Sequence, residues 1–229
     1  ESGWLTQGPK VAEFEEAFAA RHGVAHAIAS TSGTTALHLA LAALGIGPGD
    51  EVIVPAFTWV ASANAALYVG ATPVIVDVDP RSYNLDVEAV RAAITERTRA
   101  VVVVHLFGLC ADMGALRNVV PERVTIVEDA ACAAGAAWHG EPAGSLGNLG
   151  CFSFHPRKSI TTGEGGMVTT DDAQLAARMR SLRNHGAVMP MAAGAGPATM
   201  PDIDSLGFNY RMTDLQAAIG LVQLEKLDG

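Results

Sequence analysis

A lysine stands in the segment CFSFHPRKSITTGEGG, residues 151–166, where most of its neighbours are small or apolar. A lysine amine that is shielded from water loses its proton more readily, and the neutral amine is a nucleophile that can form a Schiff base. Most lysines in proteins are simply solvated, which is the alternative interpretation of Lys158. Its surroundings favour the chemical role.

Two neighbouring acidic residues, Glu128 and Asp129, end the apolar segment VTIVEDAA. Successive side chains of a strand point to opposite faces, so we expect one carboxylate at the mouth of the sheet and the other away from it. A carboxylate at the mouth costs free energy unless it meets a cation. A solvated strand end is the alternative interpretation of these two residues.

Ser32, Gly33, Thr34 and Thr35 stand between a predicted strand and a predicted helix. Free backbone N–H groups and the positive end of a helix dipole favour an anion there, although an ordinary helix cap explains the same residues equally well. The segment lacks the glycine pattern of dinucleotide-binding folds and the G-K-[ST] pattern of the P-loop. A phosphate site, a carboxylate and a Schiff-base lysine would together suit pyridoxal phosphate.

The composition indicates a globular protein that acts on small molecules. With 49% hydrophobic residues among 229, the chain can bury a large core, and its net charge of −9 argues against nucleic acid and acidic lipid as partners. Apolar runs stop short of the roughly 18 to 20 residues that a membrane helix needs, so we expect a cytoplasmic protein. Three cysteines without CxxC spacing and seven scattered histidines predict neither a disulfide framework nor a metal site.

Apolar periodicity predicts an α/β fold, with a mostly parallel sheet flanked by helices and a single domain over residues 1–229. Helices are predicted at residues 9–23, 34–44, 58–70, 85–94, 112–120, 172–186 and from 213 onward. Strands are predicted at residues 25–30, 51–55, 72–79, 100–108, 124–130, 150–154 and 165–171. Residues 187–206 show no period, which predicts an irregular loop.

Ligands of such sheets bind outside the carboxyl ends of the strands. The segments that follow predicted strands should therefore share one edge; they are STSGTT, PAFTW, HLFG, EDAA and SFHPRK.

Several segments together carry a family resemblance. They are GWLTQGPKVAEFEEAFA, TSGTTALHLAL, PAFTWVASANA, VEDAACAAGA, CFSFHPRKSITTGEGGMV and GFNYRMTDLQAAIG, and they cover essentially the whole chain. In this order they resemble the DegT/StrS family of sugar aminotransferases, which have the aspartate-aminotransferase (type I) fold. The resemblance implies a pyridoxal-phosphate enzyme that moves an amino group from an amino acid, glutamate or glutamine, to a keto group of a nucleotide-linked sugar or a cyclitol.

The resemblance also implies roles for individual residues. Lys158 would hold the cofactor as a Schiff base and then move the proton of the reacting carbon, while Asp129 would keep the pyridine nitrogen protonated. The other implied cofactor contacts are Trp59 stacked on the ring, Gly33, Thr34, Thr35 and Ser153 at the phosphate, Cys132 against the ring where many relatives have glutamine, and Asn209 at the phosphate of the neighbouring subunit. A homodimer with shared active sites follows from the last of these.

Relatives in this family extend beyond both ends of the chain, so we expect it to be a large cofactor-binding domain without the small C-terminal domain. Two other functions within the family stay open. One is a non-catalytic or regulatory relative that keeps the fold, and the other is a sugar dehydratase, against which the lysine argues because histidine replaces it there. A nicotinamide dehydrogenase is disfavoured because no glycine fingerprint follows the first strand.

Overall fold

The computed structural model describes residues 5–188 and 201–227. Its helices are α1 (Pro9–His22), α2 (Gly33–Ala43), α3 (Ala61–Tyr68), α4 (Val87–Ala93), α5 (Met113–Val119), α6 (Ala173–Leu182) and α7 (Asp214–Glu225). Its strands are β1 (His26–Ser30), β2 (Glu51–Pro55), β3 (Thr72–Val76), β4 (Thr98–Val104), β5 (Thr125–Asp129), β6 (Ala137–Trp138), β7 (Glu141–Pro142), β8 (Leu149–Ser153), β9 (Gly166–Thr170), β10 (Ala187–Val188) and β11 (Asp202–Ile203).

Seven strands form one sheet in the order β1-β9-β8-β5-β4-β2-β3. β9 runs antiparallel to both of its neighbours, and the other six strands point in one direction. The predicted α/β fold with a mostly parallel sheet is therefore confirmed, whereas the assignment of the chain to one domain stays a prediction. The carboxyl ends of β1, β2, β4, β5 and β8 consequently lie at one edge of the sheet.

Helices cover both faces of this sheet because alternate strand residues are apolar on each side. On one face, α2, α3 and α6 pack against side chains such as Val54, Val102 and Val127. On the other face, α4 and α5 pack against Val103 and its neighbours, and α1 and α7 pack against the aromatic residues of β8 and the loop after it. The core is thus divided by the sheet into two apolar layers.

The first helix illustrates how distant parts of the chain complete one another. Its ends follow the sequence prediction, with Pro9 in the first turn and Gly23 beyond the last turn at a φ of 66°. No side chain from its own start caps it. Instead, the Asp214 carboxylate accepts hydrogen bonds from the backbone N–H groups of Gly8, Lys10 and Val11, which ties α7 to α1.

Three of the differences from the predicted elements concern the loops around the strand ends and the segment before α7. The strand predicted over 100–108 ends at Val104, and a 3-10 turn follows at Leu106–Gly108. Asn84 holds this turn by accepting the Leu106 N–H and donating to the Leu109 carbonyl, and His105 Nδ1 accepts the Ala111 N–H just after it. Helix α3 begins at Ala61 rather than at residue 58. The ends of the predicted irregular loop over 187–206 pair as the two-residue strands β10 and β11, and residues 189–200 lie outside the described part.

Across residues 5–188 and 201–227, no helix combines the length and the apolar character that crossing a membrane would require.

Candidate active site

A cleft of about 670 Å³ opens where the parallel strands end. All five segments that were predicted to share this edge contribute to its wall, which confirms that interpretation of the sequence. Seven of the nine predicted site residues line the cleft, namely Gly33, Thr34, Trp59, Asp129, Cys132, Ser153 and Lys158. Thr35 and Asn209 do not.

Lys158 lies in the loop that joins β8 to β9. Two fully buried side chains, Phe154 before it and Ile160 after it, anchor this loop in the core below. The Lys158 backbone N–H donates to the His155 carbonyl at 2.9 Å, and its Nζ donates to Cys132 Sγ at 3.1 Å. The side chain is partly exposed, so the shielding from water that the sequence suggested is not present in the chain alone.

The two acidic residues at the end of β5 point to opposite faces, as predicted. Asp129 lines the cleft, whereas Glu128 is fully buried on the other side of the sheet. Glu128 accepts hydrogen bonds from the backbone N–H groups of Gly144, Leu146 and Gly147. It is neither a solvated strand end nor a group at the sheet mouth.

His105 supplies the remaining partner of Glu128. Its Nδ1 accepts the backbone N–H of Ala111, so the ring proton lies on Nε2, which donates to Glu128 Oε2 at 2.8 Å. Both side chains are fully buried. This hydrogen bond fixes the turn after β4 beside the strand that carries Asp129.

Asp129 is a buried carboxylate with little compensation. Its side chain accepts one hydrogen bond from Ser62 Oγ at 2.7 Å and one from the Ala131 N–H at 3.2 Å. Among the described residues, no cation lies within ion-pair distance of it. Burial raises the pKa of the Asp129 carboxyl, whereas the two hydrogen bonds and the charge of Lys158 lower it. The effect of burial is the larger one, so the pKa of Asp129 lies above its ordinary value.

The amino end of α2 forms another part of the cleft wall. Ser32 and Thr35 cap each other, because the Thr35 N–H donates to Ser32 Oγ at 3.1 Å and the Ser32 N–H donates to Thr35 Oγ1 at 2.9 Å. Thr35 is thereby turned away from the cleft. Within the described part of the chain, the backbone N–H groups of Gly33 and Thr34 have no hydrogen-bond partner.

Glycine at position 33 is required by a close approach. A Cβ atom at Gly33 would lie 2.8 Å from the Cβ of Ser153, which is closer than two carbons can pack. The missing side chain lets the start of α2 meet the end of β8, so two unpartnered N–H groups and the Ser153 hydroxyl share one wall of the cleft. This wall is suited to an anion.

Trp59 and Cys132 line the cleft, and Asn209 lies elsewhere. The Trp59 ring is 79% exposed, so it contributes little to the core. Asn209 is exposed and pairs with Asn184 in an isolated bridge, where the Arg211 side chain donates to Asn184 Oδ1 at 2.7 Å. The structure therefore brings the cleft residues together and leaves Asn209 on the surface.

Sequence reasoning missed several residues of the site. Ser62 was not singled out because it lies inside a predicted helix, and only its contact with Asp129 distinguishes it from other helix serines. His105, His155 and Arg157 also line the cleft. These three could have been found, because they belong to the strand-end segments HLFG and SFHPRK that the sequence placed at this edge.

Comparisons with known proteins agree with this arrangement. The model of the DegT/DnrJ/EryC1/StrS aminotransferase family matches residues 1–229. GDP-perosamine synthase of Caulobacter vibrioides is 53% identical over 227 residues, which is 98% of this chain and 59% of that protein. The chain thus spans about three fifths of the length of this relative.

Two solved structures are also similar. DesV of S. venezuelae superposes with a TM-score of 0.91 at 43% identity, over 99% of this chain and 59% of that one. The PLP form of Spr1654 from Streptococcus pneumoniae superposes with a TM-score of 0.92 at 34% identity, over 100% of this chain and 62% of that one. The resemblance inferred from the sequence is confirmed, and the chain belongs to the DegT/DnrJ/EryC1/StrS aminotransferase family.

Proposed function

We propose that this chain forms the cofactor-binding part of a pyridoxal-phosphate-dependent aminotransferase. The enzyme moves an amino group from glutamate or glutamine to a keto group of a nucleotide-linked sugar or a cyclitol. The observation that carries the proposal is the shared cleft, which is lined by Lys158, by the buried Asp129 and by the start of α2, whose free N–H groups suit an anion. Family membership supports the same chemistry.

The surroundings of Asp129 fit the nitrogen end of the cofactor. A buried carboxylate without a nearby cation is unfavourable, and a protonated pyridine nitrogen would supply the missing positive charge. When bound, pyridoxal phosphate supplies a sink for the electron pair that is left when the reacting carbon loses its proton. Asp129 would strengthen this sink by holding the proton on the ring nitrogen.

The wall at α2 fits the phosphate end. The unpartnered N–H groups of Gly33 and Thr34, the helix dipole and the Ser153 hydroxyl are the donors that a phosphate needs. Thr35, which resemblance to the family also assigns to the phosphate, would act through its cap on Ser32. Trp59 would stack on the ring, and Cys132 would lie against it.

Lys158 would act twice. Its Nζ would hold the cofactor covalently, and as a free amine it would take the proton from the reacting carbon as a general base and return it as a general acid. The contact with Cys132 at 3.1 Å would hold the amine inside the cleft between these steps. A histidine, which resemblance to the sugar dehydratases of this family would require here, could not hold the cofactor covalently.

The proposed sugar substrate is supported by the relatives. The protein that is 53% identical is a GDP-perosamine synthase, and DesV and Spr1654 share the fold at 43% and 34% identity. The chain spans 59% of the synthase, 59% of DesV and 62% of Spr1654. Its location in the cytoplasm stays a prediction.

We also propose a homodimer in which Asn209 reaches the cofactor phosphate of the partner subunit. Asn209 is exposed and does not line the cleft of its own subunit. Apolar side chains nearby are exposed as well, with Leu206 at 90% and Ile203 at 59%. A two-fold interface would cover these side chains and complete both sites.

The test is a two-step transfer with the purified protein. Protein loaded with pyridoxal phosphate is first mixed with glutamate or glutamine, and the oxo acid that is released is quantified. A panel of nucleotide-linked keto sugars is then added, and amino sugar is detected by mass spectrometry. Stoichiometric release followed by amino sugar formation is expected. Binding of the cofactor without any amino transfer would contradict the proposal and favour the non-catalytic relative.

A further inference from the structure

We propose that Ser62, supported by Thr58, is a positioning residue that orients Asp129 and holds it as a carboxylate at the floor of the cleft. This inference rests on the proposed function, because the task of Asp129 is to hold a protonated ring nitrogen. Ser62 itself does not line the cleft and would touch neither cofactor nor substrate. It acts through Asp129 alone.

A directed chain of hydroxyl groups leads to the carboxylate. Ser62 is fully buried in the first turn of α3, and its Oγ donates to Asp129 Oδ2 at 2.7 Å. Because a serine has one hydroxyl proton, the contact of 3.0 Å between Thr58 Oγ1 and Ser62 Oγ must have Thr58 as its donor. Thr58 lines the cleft, so the chain runs from the cleft wall to the buried acid.

The other carboxylate oxygen is fixed independently. Asp129 Oδ1 accepts the Ala131 N–H at 3.2 Å, while Oδ2 accepts the Ser62 hydroxyl. One donor on each oxygen prevents the carboxylate plane from rotating, and each oxygen keeps a lone pair for a further donor. Asp129 lines the cleft, so its carboxylate oxygens can accept a further hydrogen bond from a ligand bound there.

The Ser62 hydrogen bond also opposes the effect of burial. Burial disfavours the charged form of Asp129, and the hydrogen bond from Ser62 is the largest of the influences that lower its pKa. The other ionisable groups around Asp129 are Lys158, His105, Cys151 and Glu128. Of these, Lys158 lines the cleft beside Cys132, and its charge lowers the pKa of Asp129 by less than the hydrogen bond from Ser62 does.

A purely structural role for Ser62 makes a different prediction. Its Oγ also lies 3.3 Å from the Trp59 carbonyl, so the hydroxyl could serve only to hold the turn before α3. In that case removing it would disturb every ligand of the cleft equally. A positioning role would disturb only ligands that have a ring nitrogen for Asp129 to bind.

The experiment compares Ser62→Ala and Thr58→Val with the unaltered protein. The first measurement follows the Asp129 carboxyl carbon by NMR during a pH titration without cofactor. Loss of one hydrogen bond to a charged group predicts an upward shift of about 1 to 2 pH units in Ser62→Ala and a smaller one in Thr58→Val. An unchanged midpoint in Ser62→Ala would overturn the inference.

The second measurement uses two probes. They are pyridoxal phosphate and its analogue in which carbon replaces the ring nitrogen. We expect Ser62→Ala to weaken binding of pyridoxal phosphate by about fivefold and to leave binding of the analogue without a ring nitrogen unchanged. Equal weakening of both, or of neither, would overturn the inference.

If Ser62→Ala fails to fold, Ser62→Cys, with a similar volume and a weaker donor, replaces it in both measurements. Failure of the unaltered protein to bind either probe would contradict the proposed function instead.

Discussion

Asp129 and Glu128 are sequence neighbours with opposite surroundings, and substitution should separate their roles. Asn at position 129 keeps the shape of the side chain, but its single oxygen can accept only one of the two hydrogen bonds, from the Ser62 hydroxyl or from the Ala131 N–H, and it carries no charge for a ring nitrogen. We expect Asp129→Asn to fold and bind the cofactor, and to slow proton abstraction at least about a hundredfold. Single-turnover kinetics with the amino-acid donor measure this rate.

Glu128→Gln is the matched control for that substitution. Glu128 accepts three backbone N–H groups and the His105 ring, so loss of its charge should lower the free energy of unfolding by about 1.5–3 kcal/mol. Its rate of proton abstraction per folded molecule should stay near normal. A normal rate in Asp129→Asn together with a slow one in Glu128→Gln would reverse the two assignments.

The raised pKa of Asp129 has a consequence for stability without cofactor. A carboxyl whose pKa is raised by folding stabilises the protein fully below its pKa in the unfolded chain, and this stability is lost as pH rises through the higher pKa of the folded state. The ordinary value is 3.8, so the loss begins above that pH. Asp129→Asn should remove this loss, which urea unfolding of the cofactor-free protein at several pH values can measure. Parallel pH profiles of the two proteins would contradict the assignment of a raised pKa.

The start of α2 and the end of β8 must approach closely for the phosphate wall to form. Gly33→Ala would place a methyl group 2.8 Å from the Ser153 Cβ, and the backbone would have to move apart. We expect lower stability, by about 1–3 kcal/mol, and weaker binding of inorganic phosphate and of pyridoxal phosphate. Calorimetric titration and thermal unfolding measure both effects.

Gly47→Ala controls for the loss of a glycine as such. A Cβ atom there would meet only the Val69 carbonyl oxygen at 3.8 Å, so the methyl group fits without movement. This variant should bind both ligands normally. Equal losses in the two variants would show that the contact with Ser153 is not the cause.

The helices and the strands of the seven-stranded sheet could largely be predicted from the sequence, because their apolar residues follow a pattern, whereas the two-residue strands β6, β7, β10 and β11 have no such pattern. The strand-end segments also predicted which part of the chain forms the cleft, since parallel strands bring their carboxyl ends together. The turn at Leu106–Gly108 could not be predicted, because it depends on Asn84, which accepts the Leu106 N–H and donates to the Leu109 carbonyl from a distant part of the sequence. For the same reason the partners of Glu128 and Asp129 became visible only in three dimensions.

At the scale of the whole molecule, the proposed shared site predicts how subunits complement each other. A site in the dimer would use Lys158 of one subunit and Asn209 of the other. Lys158→Ala and Asn209→Ala should both sediment as dimers, and each alone should bind the cofactor poorly or non-covalently. Mixed dimers of the two variants would contain one doubly defective site and one intact site.

Mixing the two variants should therefore restore tight covalent binding in about half of the sites of the mixed dimers. This follows because a two-fold dimer has two equivalent sites, each built from both subunits. Sedimentation with simultaneous detection of cofactor absorbance follows both assembly and binding. No recovery in mixed dimers, or a monomer that binds pyridoxal phosphate tightly, would contradict the shared site.

The central claim, that Lys158 holds the cofactor, can be tested by a single peptide map. The chain contains three lysines, Lys10, Lys158 and Lys226, so two of them serve as internal controls. The protein is incubated with pyridoxal phosphate, treated with borohydride to convert the Schiff base to a stable amine, digested and analysed by mass spectrometry. Lys158→Ala is treated in parallel, and its circular dichroism should be unchanged because the side chain is partly exposed and its Nζ contacts only Cys132 among the described residues. The account predicts cofactor mass on the Lys158 peptide and none above background in the variant. Equal labelling of Lys10 or Lys226, or a labelled variant, would contradict it.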